Sequence, residues 1–247
     1  MRLDVALVEW GLVASRARAK DLIGRGCVHL RGEALTKPNK RVTEHERQQL
    51  TVDDFVWVSR SALKLSEALE HFDPDNHLVP DRHCLDIGAS TGGFTDVLLD
   101  RGARHVTALD VGHGQLHEKL RHDPRVLNLE GINVRHLQAG TLPYRYEIVV
   151  SDVSFISLKI ALPSVMAIAP DGAHLFALIK PQFEIGHGQL GKGGIVRDAT
   201  VRDAVVLELV DWFAARPGWR VNGYVDSALA GPDGNREAIV YATKGTA

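Results

Sequence analysis

The sequence predicts an α/β fold, a mainly parallel seven-stranded sheet with helices on both faces, preceded by a small α+β unit. Three observations carry this reading. From residue 82 onwards, short apolar runs alternate with helical stretches, the pattern of a parallel sheet covered on both sides. The first run, Cys84-Leu-Asp-Ile87, feeds into the turn Gly88-Ala-Ser-Thr-Gly-Gly93 and then a helix, so backbone N–H groups and a helix N-terminus face one point. The charge is also split. Residues 1–41 hold nine Lys/Arg against four Asp/Glu, a balance of +5, and the remainder holds 20 against 27, a balance of −7. A basic arm on a mildly acidic body points to a polyanionic partner at the front end.

The elements follow in order. Leu3, Leu7 and Val8 have helical spacing and Gly11 ends that helix; Ser15 caps a second helix that Gly26 stops. Val28–Leu30 reads as a strand, Arg31-Gly-Glu33 as a tight turn, and a further strand falls near Leu50–Val58. This first unit is too small to be robust alone. The expected domains are 1–58 and 59–247. Residues 60–72 form a helix with Leu63, Leu65, Ala68 and Leu69 on its apolar side. Strands are expected at 83–87, 105–109, 126–130, 147–153 and 174–179, with helices at 93–101, about 115–121, 158–168 and 199–215. Strands at 220–225 and 238–243 are close enough to pair antiparallel at the sheet edge. Gly186–Gly194 is a glycine-rich loop beside the expected site, placed as a lid.

Composition excludes several classes. No apolar stretch is long enough to span a bilayer, and Met1-Arg-Leu-Asp-Val5 lacks a signal-peptide layout, so a cytoplasmic protein is expected. Cys27 and Cys84 sit in apolar runs and read as reduced core residues. His113 and His117 with Glu118 lack a third ligand, so no metal site is expected. Ser151, Ser154 and Ser157 lack a nucleophile-elbow pattern.

In a doubly wound sheet the ligand lies at the carboxyl ends of the strands. Asp86, Gly88, Asp110, Asn133, Asp152 and Lys180 fall there. An acid at the end of the second strand binds ribose hydroxyls of either a dinucleotide or S-adenosylmethionine, and the turn departs from G-x-G-x-x-G because Ser90 and Thr91 occupy its middle. NAD therefore remains a rival on this element alone. Lys180 ends the apolar strand Leu175–Ile179; desolvation there lowers a lysine's pKa and lets it accept a proton.

Residues 83–95, Ala108–Leu116, Asp123–Val126, Ser151–Ser157, Leu178–Glu184 and Gly191–Asp198 resemble the TlyA (haemolysin A) family of ribosomal RNA methyltransferases. Arg2-Leu-Asp, Ser15-Arg-Ala-Arg-Ala-Lys20 and Leu22-Ile-Gly-Arg-Gly26 resemble the alpha-L, ribosomal-protein-like RNA-binding module. The resemblance implies a Rossmann-like, FtsJ-like catalytic domain and S-adenosylmethionine as cofactor. It also implies a Lys-Asp-Lys-Glu tetrad at Lys64, Asp152, Lys180 and Glu237. Cofactor contacts are implied at Asp86, Gly88, Ala89, Ser90, Thr91, Gly92, Gly93, Phe94, Asp110, Val111, Asn133 and Asp152. RNA contacts are implied at Arg2, Arg16, Arg18, Lys20 and Arg25, with ribosomal RNA or a ribosomal subunit as partner and no membrane.

The implied reaction is methylation of a cytidine ribose 2′-hydroxyl, with Lys180 as base. Lys64 lowers the base's pKa and steadies the alkoxide, and the two carboxylates orient the lysines. The short chain ends resemble the family form associated with large-subunit RNA alone. Ser61 and Ala62 stand where the family often has Gly-Gly or Gly-Ala after Ser-Arg before the tetrad lysine, His113 replaces a tyrosine, and Phe55–Val58 resembles the linker of relatives. The alternatives are a non-catalytic RNA-binding or ribosome assembly factor and a membrane-active haemolysin.

Overall fold

The computed structural model describes residues 1–24, 26–52, 57–185, 190–191, 193–231 and 233–245. Arg25, the Phe55–Val56 part of the linker, and residues 186–189 and 192 of the glycine loop lie outside them. The chain forms two compact units, Met1–Arg60 and Ser61–Ala247, so the division falls two residues beyond the expected boundary.

The first unit packs α1 (Leu3–Glu9) and α2 (Arg16–Gly24) on a three-stranded antiparallel sheet of β1 (Val28–Leu30), β2 (Glu33–Ala34) and β3 (Leu50–Val52), in the order β2-β1-β3. Leu3, Leu7, Leu22, Ile23 and Val28 form its core, all fully buried. β2 and the 3-10 turn Glu44–Gln49 carry too little apolar character to be read from the sequence. Thr43 and Glu46 start that turn with a reciprocal capping box.

The second unit opens with α3 (Ser61–Phe72) and builds a seven-stranded sheet. Its strands are β4 (His83–Ile87), β5 (His105–Asp110), β6 (Val126–Glu130), β7 (Ile148–Ser151), β8 (His174–Ile179), β9 (Trp219–Asp226) and β10 (Ala238–Lys244). The order is β6-β5-β4-β7-β8-β10-β9; the first five run parallel and β10 is antiparallel to both its neighbours. The strand order reverses between β4 and β7, the place where such a sheet opens a crevice.

Alternation along the strands distributes side chains to two faces. Leu85 and Ile87 join a core with α6 (Leu158–Ala161), α7 (Pro163–Ile168) and α9 (Ala199–Ala214), where Leu162, Leu209 and Phe213 are fully buried. Cys84 and Asp86 point the other way, and Asp86 meets Thr95 of α4 (Gly93–Asp100). Phe72 of α3 lies 5.1 Å from the Tyr241 ring on that face. Two expected helices are shorter than their apolar pattern. The stretch at 115–121 contracts to α5 (Glu118–Arg121), because Gly114 turns with φ 67° and the imidazole of His117 caps the helix start. The 158–168 stretch divides at Pro163, which has no N–H to continue the first helix.

Candidate active site

The site forms at the carboxyl edge of the central strands. Asp152 follows β7, and its N–H donates to Ile87 O at 2.9 Å, which holds the chain beside β4 as it leaves the sheet. Lys180 follows β8. Pro181 restricts the preceding residue to extended geometry, so Lys180 sits at φ −113°, ψ 96° and α8 (Pro181–Glu184) begins after it. β10 runs backwards, and Ala238 pairs with Ile179, so Glu237 enters the sheet next to Lys180. Lys64 arrives from α3, whose Leu65, Ala68 and Leu69 are fully buried on the same element.

These four side chains form two ion pairs. Lys64 Nζ donates to Glu237 Oε2 at 2.5 Å, with side-chain exposures of 6% and 0%. Lys180 Nζ lies 2.7 Å from Asp152 Oδ1, with exposures of 11% and 16%. Burial pushes the Glu237 carboxyl above the ordinary range, against the pull of Lys64 and Lys180, while Asp152 adds to the upward push. Lys180 also donates to Ser154 Oγ at 2.7 Å. Its ammonium is therefore held inside the site rather than extended into solvent. After Ser154 the chain turns through Phe155 at φ 63°, an unusual backbone for a non-glycine residue, and the Phe155 ring is 90% exposed beside Phe183, 5.1 Å away.

The glycine turn lies alongside. At Gly88 φ is +79°, and a Cβ would stand 2.9 Å from Asp152 O, so only glycine lets the two strand ends approach this closely. Ser90 adopts φ 48°; its N–H donates to Asp110 Oδ2 at 2.8 Å and its hydroxyl to Gln115 Oε1 at 3.0 Å. Gly112 N–H donates to the other oxygen of Asp110 at 2.7 Å. Asp110 thus clamps both loops while remaining partly exposed, with Val111 67% exposed next to it. Thr91 is exposed and accepts from His117 N–H at 3.2 Å; Ala89 is buried at the turn. Asn133 accepts from Arg135 N–H at 3.1 Å and so caps a 3-10 turn beyond β6.

Direct contact with a ligand does not suit every residue of this stretch. Asp86 has no exposed surface and accepts the Thr95 hydroxyl at 2.7 Å, so it braces the turn from beneath. Burial, reinforced by the Asp152 and Asp110 charges, raises its carboxyl to about 7 despite that hydrogen bond. Phe94 is 2% exposed in the core, and Gly92 and Gly93 are buried. A Cβ on Gly92 would meet Leu120 at 2.2 Å, so this glycine serves packing rather than ligand approach. Gln115 and Ser154 were not among the expected site residues. Ser154 was legible only as Asp152 plus two, on the same strand-end loop.

In the first unit, Arg2 and Arg16 converge on Asp4, each with a nitrogen 2.9 Å from it. Arg2's hydrogen bond, then Arg16, hold that carboxyl at about 2. These two arginines are partly structural, whereas Arg18 pairs with Asp21 at 2.9 Å along α2 and Lys20 is exposed. His113 packs over Gly131 and His117 caps α5.

A crevice at the strand-order switch, a glycine turn with an acid on the next strand, and a paired Lys-Asp and Lys-Glu define a Rossmann-like methyltransferase. The FtsJ-like methyltransferase family matches residues 57–244, and the S4 domain matches residues 1–47. The chain belongs to the TlyA family. The 16S/23S rRNA (cytidine-2'-O)-methyltransferase TlyA of Mycobacterium tuberculosis is 46% identical, over 97% of this chain and 88% of that protein. The 23S rRNA (cytidine-2'-O)-methyltransferase TlyA of Campylobacter jejuni is 35% identical, over 76% and 72%. A solved structure from Streptococcus thermophilus that carries a hemolysin name has a TM-score of 0.76 and 39% identity, covering 100% of this chain and 89% of that one. Among the described residues no helix is long and apolar enough to cross a membrane.

Proposed function

We propose that this chain methylates the 2′-hydroxyl of a cytidine in ribosomal RNA, with S-adenosylmethionine as donor and Lys180 as base. The observation that carries the reading is the two lysine–carboxylate pairs at the strand ends, beside the glycine turn. The residues fit such a donor. Gly88 lets the end of β4 close against the Asp152 backbone beside the turn, and Asp110 presents a fixed, partly exposed carboxylate for ribose hydroxyls. When bound, the donor supplies a methyl group on sulfonium sulfur, already electrophilic. The protein's tasks are then in-line placement and removal of one proton.

Lys180, in its neutral form, takes the 2′-hydroxyl proton onto Nζ. The freed oxygen pair would then attack the methyl group that the donor, held beside the glycine turn and Asp110, would supply, and sulfur would keep the bonding pair as the leaving group. Asp152 anchors Lys180 and stabilises the ammonium that forms. Lys64, neutralised by Glu237, places a buried cation near the developing alkoxide. The exposed Phe155 ring next to Phe183 offers an apolar face against which an unstacked base can rest. The S4 domain supplies the RNA grip, with Lys20 and Arg18 on α2 directed to phosphates. Large-subunit RNA is the substrate proposed first, because it is common to the names of both TlyA relatives.

Lys180→Ala tests the assignment. It is expected to abolish transfer of tritiated methyl to unmethylated ribosomal RNA, with RNA affinity retained. Turnover above about one-tenth of wild type would remove Lys180 from the role of base.

A further inference from the structure

Lys180 has a second polar partner besides the tetrad carboxylate. Its Nζ stands 2.7 Å from Asp152 Oδ1 and donates to Ser154 Oγ, also at 2.7 Å. We infer that Ser154 is a positioning residue for methyl transfer, fixing the direction in which Lys180 presents its lone pair.

The argument is one of tetrahedral geometry, and it rests on the reading of Lys180 as base. An amine nitrogen has four directions. The side-chain carbon takes one, and the hydrogen bond to Ser154 Oγ takes a second. Asp152 Oδ1, though 2.7 Å away, has no aligned hydrogen bond, so it attracts the nitrogen's charge without fixing its rotation. Without Ser154 the amine turns freely about its bond to the side-chain carbon; with it, two directions remain, and Asp152 draws an N–H into the one on its side and leaves the other for the lone pair. The hydroxyl accepts from the amine before transfer and from the ammonium after it.

The other neighbours cannot substitute for the hydroxyl. Glu237 Oε2 is engaged by Lys64 at 2.5 Å, its Oε1 lies against Gly231, and the Phe183 ring stands 6.0 Å from Nζ with no lone pair to offer in plane. The loop is built to hold the serine there. Asp152 is tied to β4 through its own N–H, and the left-handed turn at Phe155 directly follows Ser154. A non-glycine residue held in that conformation marks a segment whose path is set by its surroundings rather than by local preference.

The test uses the full chain with unmethylated ribosomal RNA and tritiated S-adenosylmethionine, comparing Ser154→Ala, Ser154→Thr and Lys180→Ala. Ser154→Ala is expected to lower kcat about tenfold or more, the scale of one hydrogen bond to a charged group, while KM for RNA and donor stays within about twofold. Ser154→Thr, which keeps the hydroxyl, is expected to restore most of kcat. The inference is overturned if Ser154→Ala turns over like wild type, if threonine is as impaired as alanine, or if the loss lies in KM or in the unfolding midpoint. Lys180→Ala separates the two claims. An active Lys180→Ala removes the base assignment, and an inactive one beside a normal Ser154→Ala removes the serine's role alone.

Discussion

Lys64→Met is the sharpest perturbation of this site, because it strands a carboxylate whose short cationic contact among the described residues is removed. Glu237 has no exposed side-chain surface, and Lys64 meets it at 2.5 Å. Breaking a buried pair by deleting one partner costs about 3–5 kcal/mol in general. Here a ceiling follows from titration, since the stranded carboxyl can take up a proton instead. Protonating a carboxyl with an ordinary value of 4.5 costs about 1.4 kcal/mol per pH unit, hence about 3.4 kcal/mol at pH 7 and about 1.4 kcal/mol at pH 5.5. Burial already raises Glu237 in the wild type, so the realised loss lies below the ceiling.

The sign is fixed. A raised carboxyl keeps its proton in the folded state to higher pH than in the unfolded chain, so the variant's stability falls as pH rises from about 4.5. Urea unfolding at pH 5.5 and 7.5 reads this slope, and Glu237→Gln, which strands the lysine cation instead, supplies the second single variant. A Lys64→Met loss equal at the two pH values, within about 0.5 kcal/mol, would refute the reasoning. So would a double variant that costs the full sum of the two single ones, since partners in contact are not additive.

Gly88→Ala places a methyl group 2.9 Å from Asp152 O at φ +79°; it is expected to lose about 2 kcal/mol in urea unfolding and to weaken donor binding in calorimetry at least tenfold. Asp86→Asn keeps an acceptor for Thr95 but removes a carboxyl raised to about 7. The wild type should lose up to about 4 kcal/mol between pH 4 and pH 7 through this group, because the folded state holds its proton there; the variant's thermal melts should be flatter over that range. Arg18→Ala with Lys20→Ala removes two phosphate partners while sparing the Arg2–Asp4–Arg16 cluster. The slope of log affinity for RNA against log salt should become shallower by about 1.5, and an unchanged slope would move the RNA grip elsewhere.

The strands and the glycine turn were legible because each is a local pattern: an apolar run, a turn residue, a helix start. Asp152 and Lys180 were legible for the same reason, as charged residues ending apolar strands. Lys64 and Glu237 were not, since one lies on a helix with ordinary amphipathic spacing and the other on a loop. Only the backwards run of β10, with Ala238 opposite Ile179, delivers Glu237 to the site. Pairing across 173 positions is a property of topology that no local window contains. Asp86 shows the converse. Its place at a strand end points to ligand contact, while a period of two turns its side chain to the α4 face, where Thr95 is its partner. The same alternation separates the two acids along this edge. Asp86 is the last inward-facing acid within β4, and Asp152 lies one residue past β7, where the pleat no longer dictates direction and the carboxylate can turn to Lys180. A charged residue inside the strand is committed to the face the pleat gives it; one placed just after the strand is free to turn to a neighbouring cation.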